Sequence, residues 1–466
     1  MSQIAISPAR ALGTIDPKLF GGFVEHLGRC IYGGLYDEGS PLSDERGFRK
    51  DVLALLRDLR LGILRWPGGN FVSNYHWTDG IGPKQDRPRR PELAWGGEEP
   101  NTFGTDEFLA YCAELGTQPY ICLNMGTGTL AEALAWVEYC NSARNTAWAA
   151  KRRAGGRDEP YGVRYWALGN EMYGQWQVGM MTAEEYVREA TRWARAIRML
   201  DPGAKLVACG ETGLTDRAAH LHGLPGKPAI AYDEWNVWYR SMPEATGRGD
   251  LAERYTFDDA LAVATYLNIF VRNCARVRMA NLAQMVNAIA PIVTTDTAAG
   301  VQPIYYPFLL HARAALDAAA DVHVDGPVVA PELPRGASRW PHRIADLGPF
   351  ALVDAAASVS ADRGKLTVTL VNRAPDAAEE ARLVLRDFAF AGPATVSTLT
   401  AGDTQSASPG DAPPSGLSPL AGPPSLSGTA GAHLAETAVP AHGPALALTL
   451  PPRSFTVIEA PITASP

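Results

Sequence analysis

The chain lacks an excess of basic charge: 42 Lys and Arg stand against 50 Asp and Glu in 466 residues, a formal net charge of −8. Without a basic field to meet phosphate backbones, nucleic-acid binding is argued against, and a neutral ligand fits better. It also lacks any run approaching the roughly 18 apolar residues that a bilayer span requires. The start, Met1-Ser2-Gln3-Ile4-Ala5-Ile6, has neither a basic head nor an apolar core, so no signal peptide and no membrane partner are expected. Cysteine is sparse: Cys30, Cys112, Cys122, Cys140, Cys209 and Cys274 are scattered without CxxC spacing. That pattern gives little support to a zinc site or a disulfide framework and points to reduced, mostly buried thiols in a cytoplasmic protein. No metal or nucleotide cofactor is expected. With 46% hydrophobic and 20% charged residues the composition is ordinary for a globular chain of two or three domains.

What is present is organised around Tyr165-Trp166-Ala167-Leu168-Gly169-Asn170-Glu171-Met172, an apolar strand that leads directly into a carboxylate. An ionised Glu costs several kcal/mol when taken out of water unpaired, so a chain that sets one just past an apolar run points it into a wet cleft. In an alternating strand–helix chain that cleft lies at the carboxyl ends of parallel strands. A second such ending, Ala229-Ile230-Ala231-Tyr232-Asp233-Glu234-Trp235-Asn236, makes Glu171 and Glu234 a candidate catalytic pair.

The same rhythm recurs along the chain. Strand-like runs at Phe20, Ile63, Tyr120, Tyr165, Leu206, Ile230 and Leu282 each close on polar residues, and helical periodicity separates most of them, as over 45–61, 105–115, 130–140, 182–199 and 257–277. The pattern predicts an α/β fold, a (β/α)8 TIM-type barrel over residues 17–304, in which only seven strands can be counted. The shortfall falls between the Lys205 strand and the Ile230 strand. A βα unit averages about 30 residues, and the segment 210–228 is too short for helix, strand and helix. The basic stretch from Lys151-Arg152-Arg153 to Arg157 reads as a solvated loop.

Residues 1–16 hold one isolated alternating strand at Gln3 to Ile6. From 305 to the end the alternation of Val322-His323-Val324, Leu366 to Val371, Ala381 to Leu385 and Ser454 to Ile458 predicts a C-terminal antiparallel β-sandwich. Residues 401–443 are rich in Pro, Gly, Ala and Ser with hardly an aromatic, the composition of a low-complexity loop.

Five co-ordered motifs carry a resemblance: Phe20-Gly-Gly-Phe-Val-Glu-His-Leu-Gly-Arg29, Arg65-Trp-Pro-Gly-Gly-Asn70, Tyr165-Trp-Ala-Leu-Gly-Asn-Glu-Met172, Trp176-Gln-Val-Gly179 and Asp233-Glu-Trp-Asn-Val-Trp-Tyr239. Over residues 10–310, and more loosely to the end, the chain resembles the intracellular α-L-arabinofuranosidases of glycoside hydrolase family fifty-one. The resemblance implies a retaining exo-hydrolase that removes terminal arabinofuranosyl groups from arabinan- and arabinoxylan-derived oligosaccharides. It also implies a cytoplasmic homohexamer and a first strand that joins the sandwich. Relatives carry a further strand with a His-x-Tyr motif before the Glu234 strand, and nothing in 210–228 maps onto it; His220 and His222 are not substitutes.

By resemblance, Glu171 is the acid/base and Glu234 the nucleophile, while Glu25, Asn70, Asn170, Trp238 and Gln284 bind the sugar. Retaining hydrolysis needs one protonated and one ionised carboxyl on either side of the glycosidic bond, and a hydrogen bond to the sugar 2-hydroxyl, here from Asn170, strengthens in the transition state. Trp166, Trp176, Trp235 and Trp238 are candidates for the apolar walls that keep the acid protonated, with core packing as their bland alternative and a specific match for Trp238 alone. Asn287 is a secondary candidate. Glu25 has a bland alternative, pairing with Arg29 or Arg65; His26 reads as a structural histidine, and Arg65 as a residue that orients a carboxylate. Two other readings stay open at this point: a degraded relative, weakly active or merely sugar-binding because a strand is missing, and another two-glutamate hydrolase such as a xylanase.

Overall fold

The computed structural model describes residues 1–210, 228–239, 251–330, 349–402 and 432–465. By internal contacts the chain forms two compact units, one of residues 20–254 and 279–300 and the other of 1–19, 255–278 and 301–466.

The first unit is built on a seven-stranded sheet. Its order is Lys205–Ala208, Tyr165–Leu168, Gln118–Leu123, Ile63–Trp66, Gly21–Phe23, Val277–Ala283 and Ile230–Trp235. The registers resolved between the first six are all parallel. The central strand Ile63–Trp66 is buried along its whole length, and Ile63, Val72, Tyr120, Cys122, Ala167 and Met279 form a core cluster. Helices return the chain between strands. Lys50–Asp58 buries Val52, Leu53, Leu55 and Leu56. Thr105–Leu115 starts where the Glu107 carboxylate accepts from the Gly104 amide and stops at Gly116, whose φ of 69° is the left-handed cap that glycine adopts without cost. Ala183–Leu200 opens on Thr182, whose hydroxyl accepts from the Glu185 amide while the Glu185 carboxylate accepts from the Thr182 amide.

Because the strands are parallel, their polar endings collect at one end of the sheet. Glu25 follows Gly21–Phe23, Pro67 to Asn70 follow Ile63–Trp66, Asn170 and Glu171 follow Tyr165–Leu168, and Gln284 follows Val277–Ala283. Asp233 and Glu234 occupy the last turn of pleat in Ile230–Trp235.

The two strands on either side of the short connection are the two ends of this sheet; among the described residues no ladder joins Lys205–Ala208 to Ile230–Trp235. Lys205 and Ala208 are exposed and Leu206 and Val207 half-buried, while Tyr232 and Glu234 are exposed in the other strand. Segment 211–227, with His220 and His222, lies outside the described residues.

The sequence reading of Lys151 to Arg157 as a solvated loop is corrected. Residues Ala147–Ala154 form a helix, and Arg152 is fully buried. Its guanidinium donates to the carbonyls of Tyr139 at 2.6 Å, Ser142 at 3.0 Å, Asp158 at 3.1 Å and Arg157 at 3.2 Å. Four backbone acceptors offset the loss of water that makes a lone buried cation costly.

In the second unit the Ser2–Thr14 strand runs antiparallel to Ala318–Asp325 and parallel to Glu379–Leu385, within an eleven-stranded network that is otherwise antiparallel. Ile4 and Ile6 are buried against a core that includes Val368, Leu370, Leu383 and Ile458. Alternation places these residues on one face, as period-two strands require. Helix Phe257–Arg272 differs from the sequence boundaries: by contacts it belongs to this unit, where Asn268 and Arg272 donate to the Asp354 carboxylate at 2.8 and 3.1 Å. The segment read as one low-complexity loop is also shorter than its composition suggested. Ala432–Val439 is a strand paired antiparallel with Ala394–Ala401, and Leu434 stands opposite Leu399; residues 403–431 lie outside the described part.

Strand ends with one free edge lose backbone protection first. Amide exchange followed by mass spectrometry is expected to be faster in peptides covering Lys205–Ala208 and Ile230–Trp235 than in those covering Ile63–Trp66 and Gln118–Leu123. Equal protection across the four would show that the seam is closed in solution.

Candidate active site

The site is assembled around the buried guanidinium of Arg65, which projects from the central strand and is 2% exposed. Nη1 donates to Glu234 Oε1 at 2.6 Å and Nη2 to Asn170 Oδ1 at 2.6 Å. One planar fork thus fixes a carboxylate on one strand and an amide on another. The Arg65 guanidinium also lies over the Phe23 ring at 4.3 Å. Burial works against its charge, and Glu234 and Asp233 more than offset that, holding its pKa well above the usual arginine value.

The Asn170 Nδ2 group reaches Asn70 Oδ1 at 3.5 Å, and the Asn170 carbonyl accepts from Gln177 Nε2 at 2.6 Å. Glu171 follows with φ of 40°, a left-handed conformation that a non-glycine residue holds at a cost of order 1 kcal/mol and that recurs where geometry is fixed for function. Gly169 before it has φ of 77°. The Glu171 carboxylate accepts from Trp176 Nε1 at 2.8 Å and from the Tyr173 hydroxyl at 3.4 Å. Burial raises the Glu171 pKa, and the Glu234 charge raises it further; the Trp176 bond and the Arg65 charge pull the other way. Next to Glu234, Asp233 is held inside the sheet by Tyr120, whose hydroxyl donates to Oδ2 at 2.7 Å.

Glu25 is buried beside this group. Oε1 accepts from the Phe71 amide at 3.1 Å and Trp95 Nε1 at 3.0 Å, and Oε2 accepts from Gln284 Nε2 at 2.9 Å. Burial, then the charge of Glu234, raises its pKa to about 7. The turn Pro67-Gly68-Gly69 needs its second glycine here: a Cβ on Gly69 would stand 2.7 Å from Glu25 Oε2. The alternative partners do not bind it. Arg29 donates to Thr294 Oγ1 at 3.2 Å and Arg65 to Glu234 and Asn170.

Of the seven residues singled out from the sequence, contacts tie Glu234, Asn170 and Asn70 into one chain and Glu25 and Gln284 into another, with Glu171 linked to Glu234 by charge. Trp238 is 52% exposed beyond the end of its strand. Asn287 latches loops, donating to the Arg29 carbonyl and to Thr294 Oγ1 at 2.8 Å each. Of the two readings of Trp166, wall or core, the structure gives core: it is fully buried, donates to the Val163 carbonyl and packs edge-on against Trp136. His26 is the structural histidine expected, between Glu99 and Trp66.

Sequence reasoning missed Trp95, Tyr173, Gln177 and Tyr120. Trp95 had one signal, an aromatic residue directly before Gly96-Gly97 in a polar stretch. Gln177 lay inside the quoted Trp176-Gln-Val-Gly179 motif without being singled out, and Tyr173 and Tyr120 sit in runs whose pattern reads as ordinary loop or strand.

The chain matches the family model described as α-L-arabinofuranosidase 1 domain over residues 55–240 and the one described as α-L-arabinofuranosidase C-terminal domain over residues 233–415. It is 45% identical over 375 residues to a probable α-L-arabinofuranosidase C of Aspergillus fumigatus, covering 67% of this chain and 74% of that protein. With the intracellular exo-α-(1->5)-L-arabinofuranosidase 1 of Bacillus subtilis it shares 35% identity, covering 83% of this chain and 87% of that one. The solved structure of the thermostable GH51 α-L-arabinofuranosidase from Thermotoga petrophila superposes with a TM-score of 0.81 at 35% identity, covering 98% of this chain and 100% of that one. The match spans both units, and the chain belongs to the α-L-arabinofuranosidases of glycoside hydrolase family 51.

Proposed function

We propose that the chain is a retaining, exo-acting α-L-arabinofuranosidase that releases terminal arabinofuranosyl groups from arabinan- and arabinoxylan-derived oligosaccharides. The observation that carries the reading is the Arg65 fork. It pairs a cation with Glu234 at 2.6 Å, while burial and the Glu234 charge raise the pKa of Glu171, the direction a general acid needs.

In this reading Glu234 attacks the anomeric carbon as the glycosidic bond breaks, and the Glu171 proton passes to the departing oxygen. Glu171, now a carboxylate, then takes a proton from water. The water oxygen attacks the same carbon and frees Glu234, and the anomeric configuration is retained after two inversions. Asn170, held by Arg65, faces the sugar 2-hydroxyl. Asn70, Glu25 and Gln284 supply the fixed polar partners that a small, polar furanose needs, and Trp238 offers an apolar surface to it. Gln284 Oε1 is buried without a partner among the described residues, an acceptor left over for a sugar hydroxyl.

Place and assembly follow as part of the proposal. A cytoplasmic place, with imported oligosaccharides as substrates, is supported by the intracellular name of the Bacillus subtilis relative and by six free cysteines, five of them buried; the homohexamer rests on the family resemblance alone.

The two glutamates are expected to differ under mutation. Glu171→Ala is expected to lose more on natural linkages than on an aryl arabinofuranoside with a good leaving group, whose first step needs no acid, and to be partly rescued by azide in the second; Glu234→Ala is expected to lose both steps. Equal loss on all leaving groups in Glu171→Ala contradicts the acid role.

Glu25 generates a second expectation, for stability. Its carboxyl titrates near 4.5 unfolded and about 7 folded, so the folded state binds the proton more tightly. The stabilising contribution is present in full below about pH 4.5 and is lost as pH rises through 7, a loss of about 3 kcal/mol. Glu25→Gln, with Gln284 free to turn its amide, is therefore expected to raise the melting temperature at pH 8, to change it little at pH 4, and to weaken sugar binding. A variant less stable than wild type at pH 8 contradicts the burial cost.

A further inference from the structure

Residues Arg90–Pro91 and Glu98–Glu99 form a short antiparallel hairpin whose tip carries Trp95. The tip is wound around one side chain. The Glu92 carboxylate accepts from the amides of Ala94, Trp95 and Gly96, and the Glu92 amide donates to the Gly97 carbonyl at 3.0 Å. Gly96 and Gly97, with φ of 88° and 92°, turn the chain back. Held so, Trp95 donates its indole N–H to Glu25 Oε1 at 3.0 Å.

The base of the hairpin is fastened to the neighbouring residue. Glu99 is buried and accepts from His26 Nδ1 at 2.9 Å, from the Asn101 amide at 2.7 Å and from the Tyr32 hydroxyl. Trp66 Nε1 donates to His26 Nε2 at 3.0 Å, which makes Nε2 the acceptor and Nδ1–H the donor toward Glu99. The His26 ring is stacked on Phe71 at 4.5 Å, and the Phe71 amide is itself a donor to Glu25 Oε1. Two consecutive residues, Glu25 and His26, thus grip the tip and the base of one hairpin.

We propose that Glu92 and Glu99 are positioning residues for the sugar site: Glu92 shapes the tip and Glu99 anchors the base, and together they hold the Trp95 indole on Glu25. Neither touches the reacting atoms. The proposal rests on the reading of Glu25 as a sugar-binding residue. It accounts for two carboxylates spent on backbone amides and a neutral histidine in a loop of little regular structure.

The test uses the full chain with 15N-labelled tryptophan. The Trp95 indole N–H resonance, assigned by its loss in Trp95→Phe, is expected to lie away from those of solvent-exposed indoles and to move toward them in Glu92→Ala and in Glu99→Gln. On an aryl arabinofuranoside, Trp95→Phe and Glu92→Ala are each expected to lower kcat/KM about tenfold, mainly through KM, the scale of one charge-assisted hydrogen bond. Adding Glu92→Ala to Trp95→Phe is expected to cost nothing more. An indole resonance that stays in place in both carboxylate variants, or a further loss of activity in the double variant, overturns the proposal. Glu92 is a loop residue, so its variant keeps the test decisive if Glu99→Gln fails to fold. If wild type proves inactive on arabinofuranosides, the functional reading fails while the resonance still decides the clamp.

Discussion

The structure depends on the contact between Arg65 and Glu234. A buried guanidinium is costly unless its charge is met, and here the charge and both terminal nitrogens are met by Glu234, by Asn170 and, at 3.4 Å, by the Asp233 carbonyl. Among the described residues the Glu234 strand pairs with Val277–Ala283 alone. Contacts through the interior add to that pairing. Arg65 from the central strand and Tyr120 from the next both reach across to this strand, on Glu234 and Asp233. The interaction that prepares the candidate nucleophile is therefore also one that helps to hold its strand in position. The Glu234 side chain is 35% exposed, wetter than its buried partner.

Much of this was legible in the sequence because the signals are periodic or terminal. Apolar strands that end in Gly-Asn-Glu and Asp-Glu-Trp announce carboxylates at the carboxyl edge of a parallel sheet, and the structure places them there. The seven strands counted from the sequence are the seven of the described sheet, while the short segment 211–227 lies outside the described residues. What was not legible depends on distant partners. Nothing in Lys151-Arg152-Arg153 distinguishes the middle arginine, yet it alone finds four carbonyls and disappears from solvent. Trp95 meets Glu25 only because a hairpin folds over, and hairpins of two residues a side leave no alternation to read. Trp166 had the right neighbours in sequence but points away from the carboxyls, since alternate residues of a strand face opposite sides.

The site holds more unmet polarity than a stability-driven core would accept. Glu25 is buried with a pKa near 7, Arg65 Nε and Gln284 Oε1 lack partners among the described residues, and Glu171 occupies a left-handed backbone. Each is costly by itself, and groups of this kind gather where a ligand or a transition state completes them. The rest of the barrel offsets them with apolar strands and with a buried cation, Arg152, met by four carbonyls. This division of labour matches a family in which chemistry is placed at one end of the strands and packing along them.

The central claim is that Glu234, prepared by Arg65, forms the covalent bond to the sugar. The most direct test is to incubate Glu171→Ala with a dinitrophenyl arabinofuranoside, whose leaving group needs no acid, and to digest the quenched protein for peptide mapping. Without a general base the glycosyl-enzyme accumulates, and the account expects one pentosyl unit on the peptide containing Glu234 and on no other. A label on a different carboxylate, or turnover with no trapped intermediate and an inverted product, would contradict it.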